Sequence, residues 1–213
     1  MYIPHPSETL NQLFSSKPFQ GASPAFATFL FLGLDANYSD SIEGEPIFSK
    51  IVEYHEDGCE FWRKYGVHHP FLLPGYSGSG RYYHRSFAEI GLTPERSDAV
   101  SFVELLHLPT TGQSKLELSD LDTGHLQNLA AWIIEGSARH IFFPAGVVRL
   151  LRRSGLFDWI PSEPLGKRGD LKVLLDQPEK HVYQHLHFSN YGKFLEQKRR
   201  EAREIFHIVS SNV

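Results

Sequence analysis

The side chains with chemistry to offer cluster at the ends of apolar runs. Asp35 follows Ala25-Phe26-Ala27-Thr28-Phe29-Leu30-Phe31-Leu32-Gly33-Leu34, Glu104 and His107 close a second apolar stretch, and His185 and His187 close a third. Two carboxyls and several imidazoles on one rim suffice for acid–base chemistry, and they are also what a metal site would use. Each has a plainer reading. Asp35 can cap a turn. Glu104 sits among apolar residues, where an unpaired carboxylate is costly, so it either reaches water or has a partner. His185 and His187 alternate, which puts both on one face of a continuing strand, as metal ligands or as a packed pair. Tyr38, Phe48 and Tyr76 are either anchors of loops or stacking platforms for a planar ligand.

The elements that must position these residues alternate along the chain. A strand over residues 25–34, buried on both faces, leads into the polar cluster Asp35-Ala36-Asn37-Tyr38-Ser39-Asp40. Residues 41–80 read as a long, largely irregular insertion with a short helix within 48–65 and a glycine-rich stretch at 75–80, and loops of that length are usually functional. The stretch at 75–80 lacks the Lys-Ser/Thr ending of a phosphate loop. A helix over 81–91, a strand within 97–108 and a helix over 121–135 follow, the last capped by Asp120 or Asp122 and ended by Gly136. A strand at 140–143, a helix at 147–154, strands at 171–175 and 181–188, and a charged helix at 193–208 complete the chain. This alternation specifies one α/β domain over 1–213, a parallel sheet with helices on both faces. Ligands of such sheets bind beyond the carboxyl ends of the strands, where strand order reverses.

Composition excludes several classes. The chain has 213 residues, 41% of them hydrophobic, and one cysteine, Cys59, which rules out an internal disulfide and any Cys-ligated zinc or iron–sulfur centre. The formal net charge of -4 argues against binding polyanions through bulk charge while leaving room for a local basic patch. The basic stretches at 149–153 and 198–203 read as solvated helix faces. No run approaches the about 20 apolar residues of a membrane span. The first residues lack the order of a signal peptide, so a cytoplasmic protein is expected.

The ordered series of motifs resembles the uracil-DNA glycosylase superfamily, closest to its mismatch-specific uracil/thymine branch. Gly33-Leu34-Asp35-Ala36-Asn37 after a buried strand is similar to that family's first motif, and Phe48-Ser49 to its base-stacking Phe-Ser. The stretch from Arg81 to Pro94 (RYYHRSFAEIGLTP) and Val103-Glu104-Leu105-Leu106-His107-Leu108-Pro109-Thr110 resemble the helix and strand that follow. His187-Phe188-Ser189-Asn190 resembles the second motif. Ala36 and Phe188 replace the prolines of the two motifs.

The resemblance implies a three-layer α/β/α fold with a central, mostly parallel four-stranded sheet, and a monofunctional DNA glycosylase that flips a base out and leaves an abasic site. It implies no metal and no cofactor, with DNA as partner and no obligatory protein partner, the chain acting as a monomer. Asp35 would orient the attacking water, and His187 would donate to the base carbonyl, with His185 its rival if the motif slides by two residues. Phe48 would stack on the base, Glu104, Asn37 and Tyr38 would line its pocket, and Ser189, Asn190, Lys193, Thr110 and Arg81 would contact DNA. Wedge loops would come from 109–113 or 190–192. An ionised Glu104 would repel the 4-carbonyl of uracil and accept from the amino group of cytosine. Asn37 replaces the Tyr that excludes 5-substituents, so a cytosine-type or modified base is expected, in DNA repair or in defence against modified foreign DNA. The competing expectations are a metal-dependent hydrolase built on His185, His187, Asp35 and His107, and a catalytically inactive nucleic-acid-binding relative.

Overall fold

A computed structural model describes residues 2–112 and 116–211. The first helix, α1 (Glu8–Ser16), begins where the Ser7 hydroxyl accepts from the Leu10 N–H, and it buries Leu10 and Phe14. Two short strands and one fully buried strand follow: β1 (Gln20–Gly21), β2 (Phe29–Gly33) and β3 (Asn37–Tyr38). The insertion at 41–80 carries two helices, α2 (Phe48–Glu56) and α3 (Gly58–Tyr65), where a single short one was expected. The break is at Asp57, which is extended and accepts from the Glu60 N–H to cap α3.

Helix α4 (Arg81–Ala88) leads to β4 (Val100–Glu104) and β5 (Thr110–Thr111). Helix α5 (Thr123–Ile134) is capped by Asp122, while Asp120 closes the preceding turn in a capping box with Glu117. Strand β6 (His140–Pro144) runs directly into α6 (Ala145–Ser154). Strands β7 (Gly166–Arg168), β8 (Leu171–Gln177) and β9 (Lys180–His185) precede α7 (Leu195–Ser211).

The result is an α/β fold whose main sheet is mixed and seven-stranded, in the order β1-β4-β2-β6-β9-β8-β7. Its centre, β4-β2-β6-β9, is parallel throughout. The sheet exceeds the expected four strands because antiparallel strands extend both edges, β1 beside β4 and the pair β8 and β7 beyond β9. Only Pro178 and Glu179 separate β8 from β9, and a two-residue connection permits a hairpin but no parallel crossover. Strand β9 also stops at His185, short of the expected 188.

The alternation along β2 divides the core. Leu30 and Leu32 pack on one face with Leu126, Leu129 and Ile133 of α5 and Val147 and Leu151 of α6. Phe29 and Phe31 pack on the other with Phe87 of α4 and Ala202 and Ile205 of α7. A third cluster joins Leu10 and Phe14 of α1, Ile51 of α2, Tyr38 and Phe71. The chain places β4 on one side of β2 and β6 on the other, so the direction of sheet growth reverses beside β2. There β3 and β5, the continuations of β2 and β4, pair in parallel as a separate two-stranded sheet. Among the described residues no helix is long and apolar enough to cross a membrane.

Candidate functional site

A cavity of about 270 Å³ lies beyond the carboxyl ends of β2 and β4, and Asp35, Asn37, Tyr38, Glu104, His187 and Ser189 all line it. That volume is at the lower edge of the range for small-molecule pockets, about 300–1,000 Å³. Three strand ends therefore deliver their polar residues to one place.

The pairing of β3 with β5 holds Asp35. Thr110 is fully buried opposite Asn37, and its hydroxyl donates to Asp35 Oδ2 at 2.5 Å. Asn37 Nδ2 donates to Thr110 Oγ1 at 3.0 Å and to the Gly112 carbonyl, and lies 3.4 Å from Asp35 Oδ2. Thr110, expected to contact DNA, instead serves the carboxylate. The wedge loop expected at 109–113 ends on Gln113, which lies outside the described residues.

Glu104 is the last residue of β4 and pairs with Gly33, the last of β2. A Cβ on Gly33 would stand 1.9 Å from Glu104 Oε2, so the glycine leaves the room that the carboxyl occupies. Oε2 is buried and has no hydrogen-bond partner among the described residues. Burial, reinforced by the Asp35 charge, pushes the Glu104 carboxyl up to about 8. At neutral pH Glu104 is therefore a neutral acid, a donor as well as an acceptor. This corrects the expectation of an ionised Glu104 that repels a base carbonyl.

His187 lies two residues past the end of β9. The Ser189 N–H donates to its Nδ1 at 3.3 Å, which puts the proton of the neutral ring on Nε2, and Ser189 Oγ lies 2.6 Å from Nδ1. Burial lowers its pKa, Asp35 opposes that shift and Lys198 reinforces it. Helix α7 grips the backbone on both sides of this histidine. Glu201, 4% exposed, accepts from the Leu186 N–H at 2.5 Å. Lys198, 3% exposed, donates to the Phe188 carbonyl at 3.0 Å and to Ser86 Oγ and Tyr82 Oη at 2.8 Å each. The stretch at 198–203 is thus more than a solvated face.

Other expected residues fall elsewhere. His185 is buried against Phe188, its Nδ1 2.6 Å from the Leu186 carbonyl, and it does not line the cavity. It parts from His187 because the strand that would have kept them on one face has ended. Phe48 packs into the cluster of α1 and α2, and the ring that reaches the cavity is Phe71. Asn190, through its carbonyl, faces Tyr82 at 3.4 Å, Lys193 is exposed beside Phe194, and the Arg81 guanidinium donates to the Tyr76 carbonyl, all three away from the cavity lining. Among the described residues, no three His, Cys, Asp or Glu side chains are placed to hold a metal ion. The set His185, His187, Asp35 and His107 is not assembled.

The structure adds Gln20, His69, Phe71, Tyr83 and His84 to the lining. His69 and His84 stack with centroids 3.5 Å apart and planes 8° apart, and His68 Nε2 lies 3.2 Å from His84 Nδ1. Burial lowers all three, His68 to about 3, so the stack is a neutral aromatic wall. Its signal in the sequence was the pair His68-His69 before Pro70 and His84 within an aromatic helix. No protein-family model matches the chain, and no curated protein matches it in sequence. Chemically, the cavity offers a hydrogen-bonded carboxylate, a neutral acid, a neutral imidazole and flat aromatic walls, suited to a planar, polar-edged ring.

Proposed function

We propose that this protein is a DNA glycosylase: it receives a base extruded from DNA into the cavity and hydrolyses the N-glycosidic bond, leaving an abasic site. The observation that carries the reading is that Asp35 and His187, delivered by different strands, line one aromatic-walled cavity. The parallel core β4-β2-β6-β9, with helices on both faces, supports the finer reading of a uracil-DNA glycosylase-like fold.

In this reading the Asp35 carboxylate orients a water toward C1′ and favours the positive charge that develops on the sugar. The C1′–N bond breaks with its electron pair passing to the base, and the water oxygen bonds to C1′. His187 donates from Nε2 to a base carbonyl as negative charge accumulates there, a contribution of about 3 kcal/mol for one well-placed donor. Phe71 takes the stacking role that Phe48 was expected to fill, and the His69–His84 stack forms a second flat surface. Ser189, which lines the cavity, and Asn190 next to it would contact a backbone phosphate of the flipped nucleotide. The base is a cytosine-type or modified one, with Asn37 leaving room at the 5-position.

The test is a panel of duplexes carrying uracil, mismatched thymine, cytosine or modified cytosine, each incubated with protein and then treated with alkali. Wild type generates alkali-labile sites on at least one duplex, and Asp35→Ala is impaired by about 100-fold or more on that duplex. Failure of wild type on every duplex overturns the reading.

A further inference from the structure

We infer that Glu104 is a catalytic acid that protonates the departing base, which restricts efficient turnover to amino-bearing, cytosine-type bases; this rests on the glycosylase reading above. Glu104 is an odd residue to find there. Its Oε2 is buried without a hydrogen-bond partner among the described residues, the glycine at 33 leaves the room it occupies, and the charge that acts on it is that of another carboxyl, Asp35. No lysine or arginine lines the cavity among the described residues. The titratable groups coupled electrostatically to Glu104 are Asp35 after β2, Tyr38 on β3, Tyr54 on α2 and Tyr83 on α4. The histidines sharing the cavity, His69, His84 and His187, all have lowered pKa values and bring no positive charge at neutral pH. The like charge of Asp35 adds to the burial that holds Glu104 neutral.

A neutral carboxyl matches the cytosine edge at two points: its O–H donates to ring N3 and its C=O accepts from the 4-amino group. It also matches uracil, with the two oxygens exchanging roles, so pairing alone does not separate the two bases. Proton transfer does. Cytosine N3 has a lone pair that can receive the Glu104 proton, whereas uracil N3 already carries hydrogen. As the proton moves to N3, the C1′–N1 electron pair passes to the ring and the base leaves neutral. The water oxygen bonds to C1′ and its proton goes to the Asp35 carboxylate. The sum is hydrolysis, with Glu104 left ionised and Asp35 protonated, and exchange with solvent restores both.

The experiment measures single-turnover abasic-site formation on duplexes carrying cytosine, 5-hydroxymethylcytosine or uracil, for wild type and Glu104→Gln, from pH 5 to 10. The amide keeps a donor and an acceptor but has no acidic proton to give. On a cytosine-type base, Glu104→Gln loses about 100-fold or more in rate, with DNA affinity within a few-fold of wild type. The wild-type rate on that base falls above about pH 8, a limb that requires no substitution to observe. On uracil, whose N3 cannot take the proton, both proteins cleave far more slowly than wild type cleaves the cytosine-type base. Uracil cleavage without cytosine-type cleavage, a Glu104→Gln rate equal to wild type on the cytosine-type base, or no alkaline limb overturns the inference while leaving the glycosylase reading standing. No abasic product from any duplex at any pH overturns both.

Discussion

An enclosed carboxyl is shaped by the partners it finds, and in this Asp35 and Glu104 differ. Asp35 has the Thr110 hydroxyl. Glu104 has burial and a like charge, which hold it protonated up to about 8. A carboxyl whose folded-state pKa is raised favours the folded state fully below its ordinary value of 4.5, and that advantage is lost as pH rises through about 8. Glu104→Gln therefore raises the melting temperature at pH 9 and changes it little at pH 4; equal shifts at both would contradict a neutral acid in the cavity. The neighbouring Gly33 gives a companion prediction. A methyl at Gly33 would collide with Oε2, so Gly33→Ala destabilises by about 1–3 kcal/mol in chemical denaturation and abolishes activity. Adding Glu104→Ala recovers the stability but not the activity. Asp35 and Glu104 were legible in the sequence because each is a charge at the end of an apolar run. The neutrality of Glu104 was not, since it depends on Asp35 and the enclosing aromatic side chains, which come from four other segments.

Helix α7 is an element whose role becomes visible only in three dimensions. Its spacing of Lys198 and Glu201, three residues apart, puts both on one face, and that face grips the peptide units before and after His187. Both act as positioning residues, and Lys198 also lowers the His187 pKa. Lys198→Met is expected to raise the His187 pKa, read by NMR titration of the ring, and to lower the rate about 10-fold or more with substrate affinity little changed. Lys198→Arg restores the pKa but only part of the rate; an unmoved titration would contradict the electrostatic part of this account. The helix itself was readable from its charged amphipathic pattern, but not which of its charges would be buried. The pair His185 and His187 failed for a related reason: alternation predicts one face only while a strand continues, and β9 stops at His185. Phe71 and His69 were missed because residues 66–80 carry no periodicity, and their place on the rim comes from packing against Tyr38 and Tyr54.

Across the whole molecule, the parallel core was legible as alternating strands and helices, and the antiparallel strands at its two edges were not. Pro178-Glu179 is a turn visible in the sequence, yet the alternation of strands and helices reads the strands on either side as a parallel series, and the structure folds them back as a hairpin. The net charge of -4 sets a second constraint at this scale: under the proposed function, binding to DNA would have to come from local cations rather than from overall attraction. Lys193, exposed and on the chain segment that follows the cavity-lining Ser189, is the cation proposed for this contact. Lys193→Ala should weaken DNA binding by a similar factor for every base tested and reduce the slope of log affinity against log salt by about 1. A change confined to one base would contradict a backbone contact. The most direct measurement of the central claim is mass spectrometry of the products when wild type acts on its best duplex. Release of one free base for each abasic strand, with the phosphodiester backbone intact before alkali treatment, is the predicted result. A strand cut without free base, or DNA bound and returned unchanged, would contradict it.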